Sequence, residues 1–323
     1  MIEDREISFV VQGPIVDVKT PGASSTVEVV QSVRRQFPHS RIILSSWKGT
    51  STENLNVDAA VLSEDPGALY QGFSLNNVNR QIVSTSAGLN LVETQFSVKL
   101  RTDSLIRSRK FLDYFGRMPN RRKEFKVFDE KIVVGNRFCR NPALYPLPFH
   151  PSDIFQFGLT SDLRRFWNIP LAPEPETSEW FKIHARPPKT LDYFFPHTLR
   201  YFPEQYLWIT CLKQAGYEVG MDYGWQVDKH LCRSSELSIV NNFIIAKTER
   251  LGVELPKRLL QPRISVSIYS DLDFLIMYYR DFSCFPPVLG EAVFLVSTKL
   301  KRLAQRFYFL AKRIRDVLTR RRQ

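Results

Sequence analysis

Short apolar runs, each closed by turn chemistry, alternate with helical stripes through the first hundred residues. Ile7-Ser8-Phe9-Val10-Val11 is followed at once by Gln12-Gly13-Pro14-Ile15. A run of this kind predicts a buried strand, and the Gly-Pro turn lets backbone approach a ligand closely. Residues 26–37 carry Val27, Val30, Val33 and Phe37 at helical spacing. Ser24, Ser25 and Thr26 are candidate N-caps, and Pro38 stops the helix. Residues 41–47 read as the next strand and residues 59–62 as a third, closed by Ser63-Glu64-Asp65-Pro66-Gly67. A long polar loop leads into a helix, NNVNRQIVSTSAGL, and then a strand over residues 96–100 that ends in Arg101-Thr102-Asp103. The stretch RTDSLIRSRKFLDYF reads as a further helix, which Asp103 could cap with help from Ser104. Alternating strands and helices predict an α/β fold, a mostly parallel sheet with helices on its faces. Gln12, Asp65 and Asp103 each follow a strand, so all three can face one crevice at the carboxyl edge of that sheet.

The pattern is less regular beyond residue 110. Residues 111–115 end a helix, Arg121-Arg122-Lys123 is a basic turn, and residues 131–134 are a strand. Pro148-Phe149-His150-Pro151-Ser152-Asp153 leads into the apolar run of residues 154–158. Asp162 and Arg164 read as charges on a helix surface. Prolines cluster from Asn168 to Pro203, which rules out one long helix or a central strand there. That segment reads as extended loops with a short ordered piece around residues 180–184, and His184, Arg186 and His197 are plausible contacts in it. Pro203-Glu204-Gln205 opens a helix that Gly216 closes, followed by a short strand at Tyr217-Glu218-Val219.

Charge changes the picture at the C-terminus. The chain of 323 residues has a net charge of +12, of which +9 lies between Lys299 and Gln323. Leu300, Leu303, Phe307, Leu310, Ile314 and Leu318 fall along one helical stripe there, flanked by Lys301, Arg302, Arg306, Lys312, Arg313, Arg315 and the Arg320–Arg322 triplet. A basic amphipathic helix of this kind suits an anionic bilayer surface; the plainer reading is a packed helix with a solvated basic face. Nucleic acid is not expected as a partner, because the charge sits in one tail and the body carries no binding motif. Cys139, Cys211, Cys232 and Cys284 form no C-x-x-C pair, which speaks against disulfides and zinc and fits a reducing compartment. The start of the chain lacks the pattern of a signal peptide, and no apolar stretch reaches the ~18 residues needed to span a bilayer.

Candidate chemistry gathers at three places. The Asp103 carboxylate, at the end of a strand, could hold a divalent cation and through it a diphosphate. His150 and Asp153, three apart beside a strand, could bind sugar hydroxyls or act as acid and base, or could simply order the turn. Glu204 at a helix start has a favourable interaction with the helix dipole, worth roughly 0.3–1 kcal/mol, whatever else it does.

The blocks FVVQGPI, SVRRQFPHSRIILSSWKG, DPG, NNVNRQIVSTSAGL, KLRTD and FHPSDIFQFG resemble, in the same order, the WavE lipopolysaccharide-synthesis family over roughly residues 7 to 230. The resemblance implies a nucleotide-diphospho-sugar transferase fold of the GT-A type and a role in building lipopolysaccharide core or related surface glycans. It implies a catalytic domain over residues 1–240, with a donor half (1–110) and an acceptor half (111–240). Residues 241–298 would then be a helical or irregular extension, and residues 299–323 a membrane-associating tail. Gln12, Gly13, Asp65, Asn79 and Arg80 would bind the nucleotide and phosphates of a nucleotide-diphospho-sugar, and Asp103 metal or ribose. GT-A enzymes usually show Asp-x-Asp where this chain has Arg101-Thr102-Asp103. That departure puts tight metal binding in doubt, so Mn²⁺ or Mg²⁺ would be weakly bound and Arg101 could contact phosphate directly. The resemblance favours a site at His150 and Asp153, suggests Glu204 as a base in competition with Asp153, and makes His230 a metal candidate beside Asp103.

The expected activity is transfer of a sugar from a nucleotide-activated donor to a lipopolysaccharide core or other glycolipid acceptor, with inversion slightly favoured. The expected setting is the cytoplasmic face of the inner membrane. Two rivals are a sugar-phosphate or nucleotidyl transferase on the same kind of sheet, and a non-enzymatic basic module that binds membrane or nucleic acid.

Overall fold

The apolar runs become strands in the computed structural model, which describes residues 2–17, 22, 24–71, 74–185, 199–261, 266–282 and 287–320. In chain order they are β1 (Ile7–Gln12), β2 (Arg41–Trp47), β3 (Ala59–Ser63), the hairpin β4 (Leu69–Gln71) and β5 (Ser74–Asn76), β6 (Phe96–Arg101), β7 (Leu105–Ile106), β8 (Ile132–Gly135), β9 (Gln156–Leu159), β10 (Phe243–Ala246) and β11 (Val253–Glu254). Seven of them form one sheet in the order β3-β2-β1-β6-β9-β8-β10. All pairings are parallel except those of β9, which runs against both β6 and β8. The helices are α1 (Thr26–Gln36), α2 (Val78–Asn90), α3 (Thr160–Trp167), α4 (Glu176–Ile183), α5 (Pro203–Gln214), α6 (Lys229–Asn242), α7 (Asp271–Phe282) and α8 (Pro287–Arg320). The expected α/β sheet and the C-terminal helix are both present.

Helices α1, α2 and α5 form where their signals predict. Ser25 caps α1 by accepting from the Glu28 amide, while Glu28 accepts from the Ser25 amide at 2.8 Å, a reciprocal capping box. Gly88 lets α2 press onto the sheet: a Cβ there would lie 2.4 Å from Val10 Cγ1. Register sorts β6 by face. Val10 pairs with Lys99 and Gln12 with Arg101, so Ser97, Lys99 and Arg101 share the α2 face. Phe96, Val98 and Leu100 lie on the other. There Phe9, Phe37, Phe111 and Phe157 pack ring to ring at centroid separations of 4.9–6.4 Å. Each such ring contributes roughly 1.5–3 kcal/mol of burial.

Five sequence expectations change. No helix starts at Asp103: Leu105 and Ile106 form β7, which pairs antiparallel with β11, so Asp103 caps nothing, and only a short 3₁₀ helix over Lys110–Tyr114 forms in the expected helical stretch. Residues 217–219 form no strand. Asp162 is buried and accepts the Asp129 and Glu130 amides at 2.8 Å each, while Arg164 donates to the carbonyls of Leu89 and Val92; neither is a surface charge. The sheet does not close before residue 240, because β10 is its edge strand and pairs with β8. The C-terminal helix begins at Pro287, not near Lys299: the apolar stripe continues back through Val296, Val293 and Leu289 to a proline at the first helical position. Arg186, His197, Cys284 and Arg321–Arg322 lie outside the described residues, as does the side chain of Leu318. Among the described residues no helix is long and apolar enough to cross a membrane.

Candidate active site

The strand order reverses beside β1: β2 and β3 lie on one side, β6 on the other. In open α/β sheets ligands bind outside the carboxyl ends of strands at this switch point. Gln12 and Gly13 end β1 there, and Arg101, Thr102 and Asp103 end β6. Gly13 has φ +122° and a Cβ at this position would sit 3.1 Å from Thr102 Oγ1, so the turn needs glycine. Thr102 stitches the two strand ends together. Its amide donates to the Gln12 carbonyl at 3.1 Å and its hydroxyl to the Pro14 carbonyl at 2.7 Å.

Asp103 is buried between two guanidiniums. Arg101 Nε and Nη2 donate to its two oxygens at 2.9 and 3.1 Å, and Arg258 donates to Oδ2. Burial alone would raise the Asp103 carboxyl, but Arg101 and then Arg258 outweigh it and hold it below its usual range. Arg258 is brought here by the β7–β11 pairing just after Asp103. Lys257 beside it is fastened by an amide hydrogen bond to the Gly22 carbonyl at 3.0 Å. The Arg258 side chain remains 55% exposed while it holds Asp103.

This donor set does not fit a tightly held Mn²⁺ or Mg²⁺ ion. Such ions need several oxygen ligands, and both oxygens of this single carboxylate already accept from arginines. Among the described residues no group of three or more His, Cys, Asp or Glu side chains comes together. His230, expected at a metal, is an exposed residue in the first turn of α6.

The remaining donor-site candidates divide. Gln12 is buried and its Oε1 accepts from Ser84 Oγ at 2.8 Å. Asp65 and Arg80 pair through two hydrogen bonds of 2.7 and 2.5 Å at the rim beyond β3. Asn79 is engaged elsewhere: its side chain clasps the Ala172 backbone, donating to the carbonyl at 3.0 Å and accepting from the amide at 2.7 Å.

A second cluster lies on the same face of β6, two residues back. Lys99 is fully buried, its Nζ donating to the Asp153 carbonyl and lying 5.0 Å from the centroid of the Trp167 ring. Gln156, the register partner of Lys99 on β9, accepts from Trp167 Nε1 at 2.6 Å and so fixes that ring. Burial pushes the Lys99 ammonium down to about 8 against the opposing pull of Asp153. Glu204 sits in the first turn of α5, and its Oε2 lies 3.5 Å from His150 Nε2. Gln205 explains the placement, since its Nε2 donates to the Pro148 carbonyl at 2.8 Å and ties the helix start to the loop carrying His150. Burial first, and then the Asp153 charge, push the Glu204 carboxyl up to about 8. Burial and the Arg140 charge push His150 down to about 3, so its ring is neutral at pH 7 and the His150–Glu204 contact is not an ion pair.

His150, Asp153 and Glu204 are therefore brought together, and Lys99 joins them to the Asp103 clamp through the strand. Lys99 and Arg258 escaped the sequence reading. A lysine in an alternating strand reads as solvent-facing unless both sheet faces are covered, and that coverage was the available signal. Nothing near Arg258 in sequence points to a strand end 155 residues away. His184 is not in this group; it is exposed and stacks on Trp180 at 3.6 Å. An open cleft lined by Gln95, Phe96, Arg109 and Phe115 lies at the amino end of β6, the edge opposite the switch point.

The family model described as WavE lipopolysaccharide synthesis matches residues 7–308. No curated protein matches the chain. Among solved structures, HddC from Yersinia pseudotuberculosis complexed with GMP-PN is 11% identical, covering 49% of this chain and 78% of that one at a TM-score of 0.26. A second structure of HddC from the same organism is 11% identical, covering 64% and 98% at a TM-score of 0.27. Scores at this level carry no argument about chemistry.

Proposed function

The chain belongs to the WavE lipopolysaccharide-synthesis family, and from that premise we propose that it is a glycosyltransferase using a nucleotide-diphospho-sugar donor. The acceptor would be lipopolysaccharide core or a related surface glycan, met at the cytoplasmic face of the membrane. One observation carries this reading. A guanidinium clamp at the switch point and a buried acid–base cluster are held two residues apart on one face of β6, at Arg101 and Lys99. Two strand residues span about 7 Å, so the clamp and the cluster border one crevice.

In this mechanism the Gln12-Gly13 turn lets the donor approach the backbone, and Arg101 and Arg258 face its diphosphate. Guanidiniums match phosphate oxygens in geometry and stay charged. Glu204 takes the proton of the acceptor hydroxyl as the new C–O bond forms. The bond from anomeric carbon to diphosphate oxygen breaks, and the two arginines neutralise the leaving group. A carboxyl raised to about 8 is a stronger proton acceptor than an ordinary one. Asp153 raises Glu204 and holds Lys99. No step needs a metal ion from this protein's own residues; any cation would arrive with the nucleotide. The test is donor turnover by Glu204→Gln and Arg258→Ala variants, which should lose sugar transfer and donor affinity respectively.

A further inference from the structure

Helix α8 is seated on the body through Phe294 near its start and through polar side chains beyond it. Among its described side chains Phe294, Thr298 and Gln305 are buried. Gln305 Nε2 donates to the carbonyls of Leu144 and Val266 at 3.1 and 3.3 Å, Arg302 Nε donates to the Ala143 carbonyl at 2.8 Å, and Lys301 bonds Ser270 and Asp273. The apolar stripe faces away. It runs from Leu289 to Ile314 in alternating steps of four and three, through Val293, Val296, Leu300, Leu303, Phe307 and Leu310, and these residues are 45–63% exposed. At 1.5 Å per residue the stripe is about 38 Å long. Packing on this protein's own core, the plain explanation for such a stripe, is thus excluded for these residues, while Phe294 on another face does join the core.

Steps of four and three also suit a coiled coil with a second copy. The flanks argue against it. Lys299, Arg306 and Arg313 line one side of the stripe and Ser297, Ala304 and Ala311 the other, with no acid between Glu291 and Asp316. An antiparallel copy would set cation against cation, and a parallel copy would offer no carboxylate. An anionic lipid surface supplies both the apolar medium and the missing charge.

We propose that α8 lies in the plane of an anionic bilayer, its stripe in the headgroup region, and carries the catalytic body on its opposite face. The Ala143–Leu144 turn that receives α8 belongs to the loop that reaches His150, and the Arg140 amide donates to the His150 carbonyl at 3.1 Å. A membrane under α8 thereby lies next to the loop bordering the acid–base cluster, which suits a lipid-linked acceptor. That consequence rests on the glycosyltransferase reading; the lipid docking does not.

The experiment is co-sedimentation of the full chain, without donor or acceptor, with vesicles of phosphatidylcholine alone or with a quarter phosphatidylglycerol. The full chain should favour the anionic vesicles at least about tenfold, about 1 kcal/mol arising from each cation near the surface. Leu303→Glu with Phe307→Glu should abolish binding, and Lys299→Glu with Arg306→Glu should remove the anionic preference. The second pair touches no described hydrogen bond, so it keeps the test valid if the first pair misfolds. Equal binding of either pair to anionic vesicles, or no anionic preference in the full chain, overturns the proposal. So does a dimer in solution that Leu303→Glu with Phe307→Glu converts to monomer while vesicle binding is absent.

Discussion

Arg258 donates a hydrogen bond to the carboxylate of Asp103, a residue 155 positions earlier that Arg101 already grips from the same strand. The carboxylate thus aims two guanidiniums at the switch-point crevice. Asp103→Asn should abolish transfer in a protein whose circular dichroism stays native. Arg258→Ala should weaken donor binding by about tenfold or more, the scale of one lost charge-assisted hydrogen bond of about 1.5–3 kcal/mol. Titration of nucleotide sugars against the folded variants measures both. Wild-type donor affinity in Arg258→Ala would make the pair purely structural.

A site built on guanidiniums should not depend on a metal to hold its donor. Thermal stabilisation by the donor should survive EDTA, and added Mn²⁺ or Mg²⁺ should raise turnover only modestly. Donor stabilisation that disappears in EDTA and returns with Mn²⁺ would assign the diphosphate to a cation instead.

The acid–base assignment predicts a pH profile. With the Glu204 carboxyl raised to about 8 and acting as base, turnover should climb as pH rises toward that value. Lys99 titrates nearby, so the apparent value belongs to the cluster rather than to one residue. Glu204→Gln should lower turnover by roughly 10²–10⁴ and flatten this limb while donor affinity holds. If Asp153→Asn does this and Glu204→Gln does not, the base is Asp153.

Stability should respond to pH with opposite signs at the two buried groups. A carboxyl with a raised folded pKa costs nothing below its unfolded value of 4.5, and destabilises progressively as pH rises through about 8. Glu204→Gln should therefore raise the melting temperature more at pH 9 than at pH 5. An ammonium lowered from 10.5 to about 8 costs stability as pH falls through that range. Lys99→Met should stabilise more at pH 7 than at pH 10, by scanning calorimetry at each pH. Melting-temperature changes that do not vary with pH in either variant would mean the cluster is solvated.

Much of this architecture was legible locally. The Ser25 capping box, the Gly13 turn and the run from Phe96 to Arg101 announce themselves through neighbouring residues, and so do the strands they delimit. The carboxyl-edge crevice followed from strand and helix alternation alone. What was hidden depends on contacts distant in sequence. Asp103 looked like a helix cap because its real partners, β11 for the next residues and Arg258 for its carboxylate, lie some 150 positions away. Asp162 looked exposed because the amides of Asp129 and Glu130 that bury it come from another loop. Lys99 gave no signal of its own, because alternation reports two faces and not which of them is covered.

If the crevice between β1 and β6 breaks a sugar–diphosphate bond, as proposed, the products of donor turnover will show it. With a panel of nucleotide-diphospho-sugars and a core-glycan acceptor, nucleoside diphosphate should be released in equal amount to glycosylated acceptor, and both should be lost in Asp103→Asn and Glu204→Gln. Consumption of nucleoside triphosphate and sugar phosphate, with pyrophosphate released and no glycosylated acceptor, would contradict it.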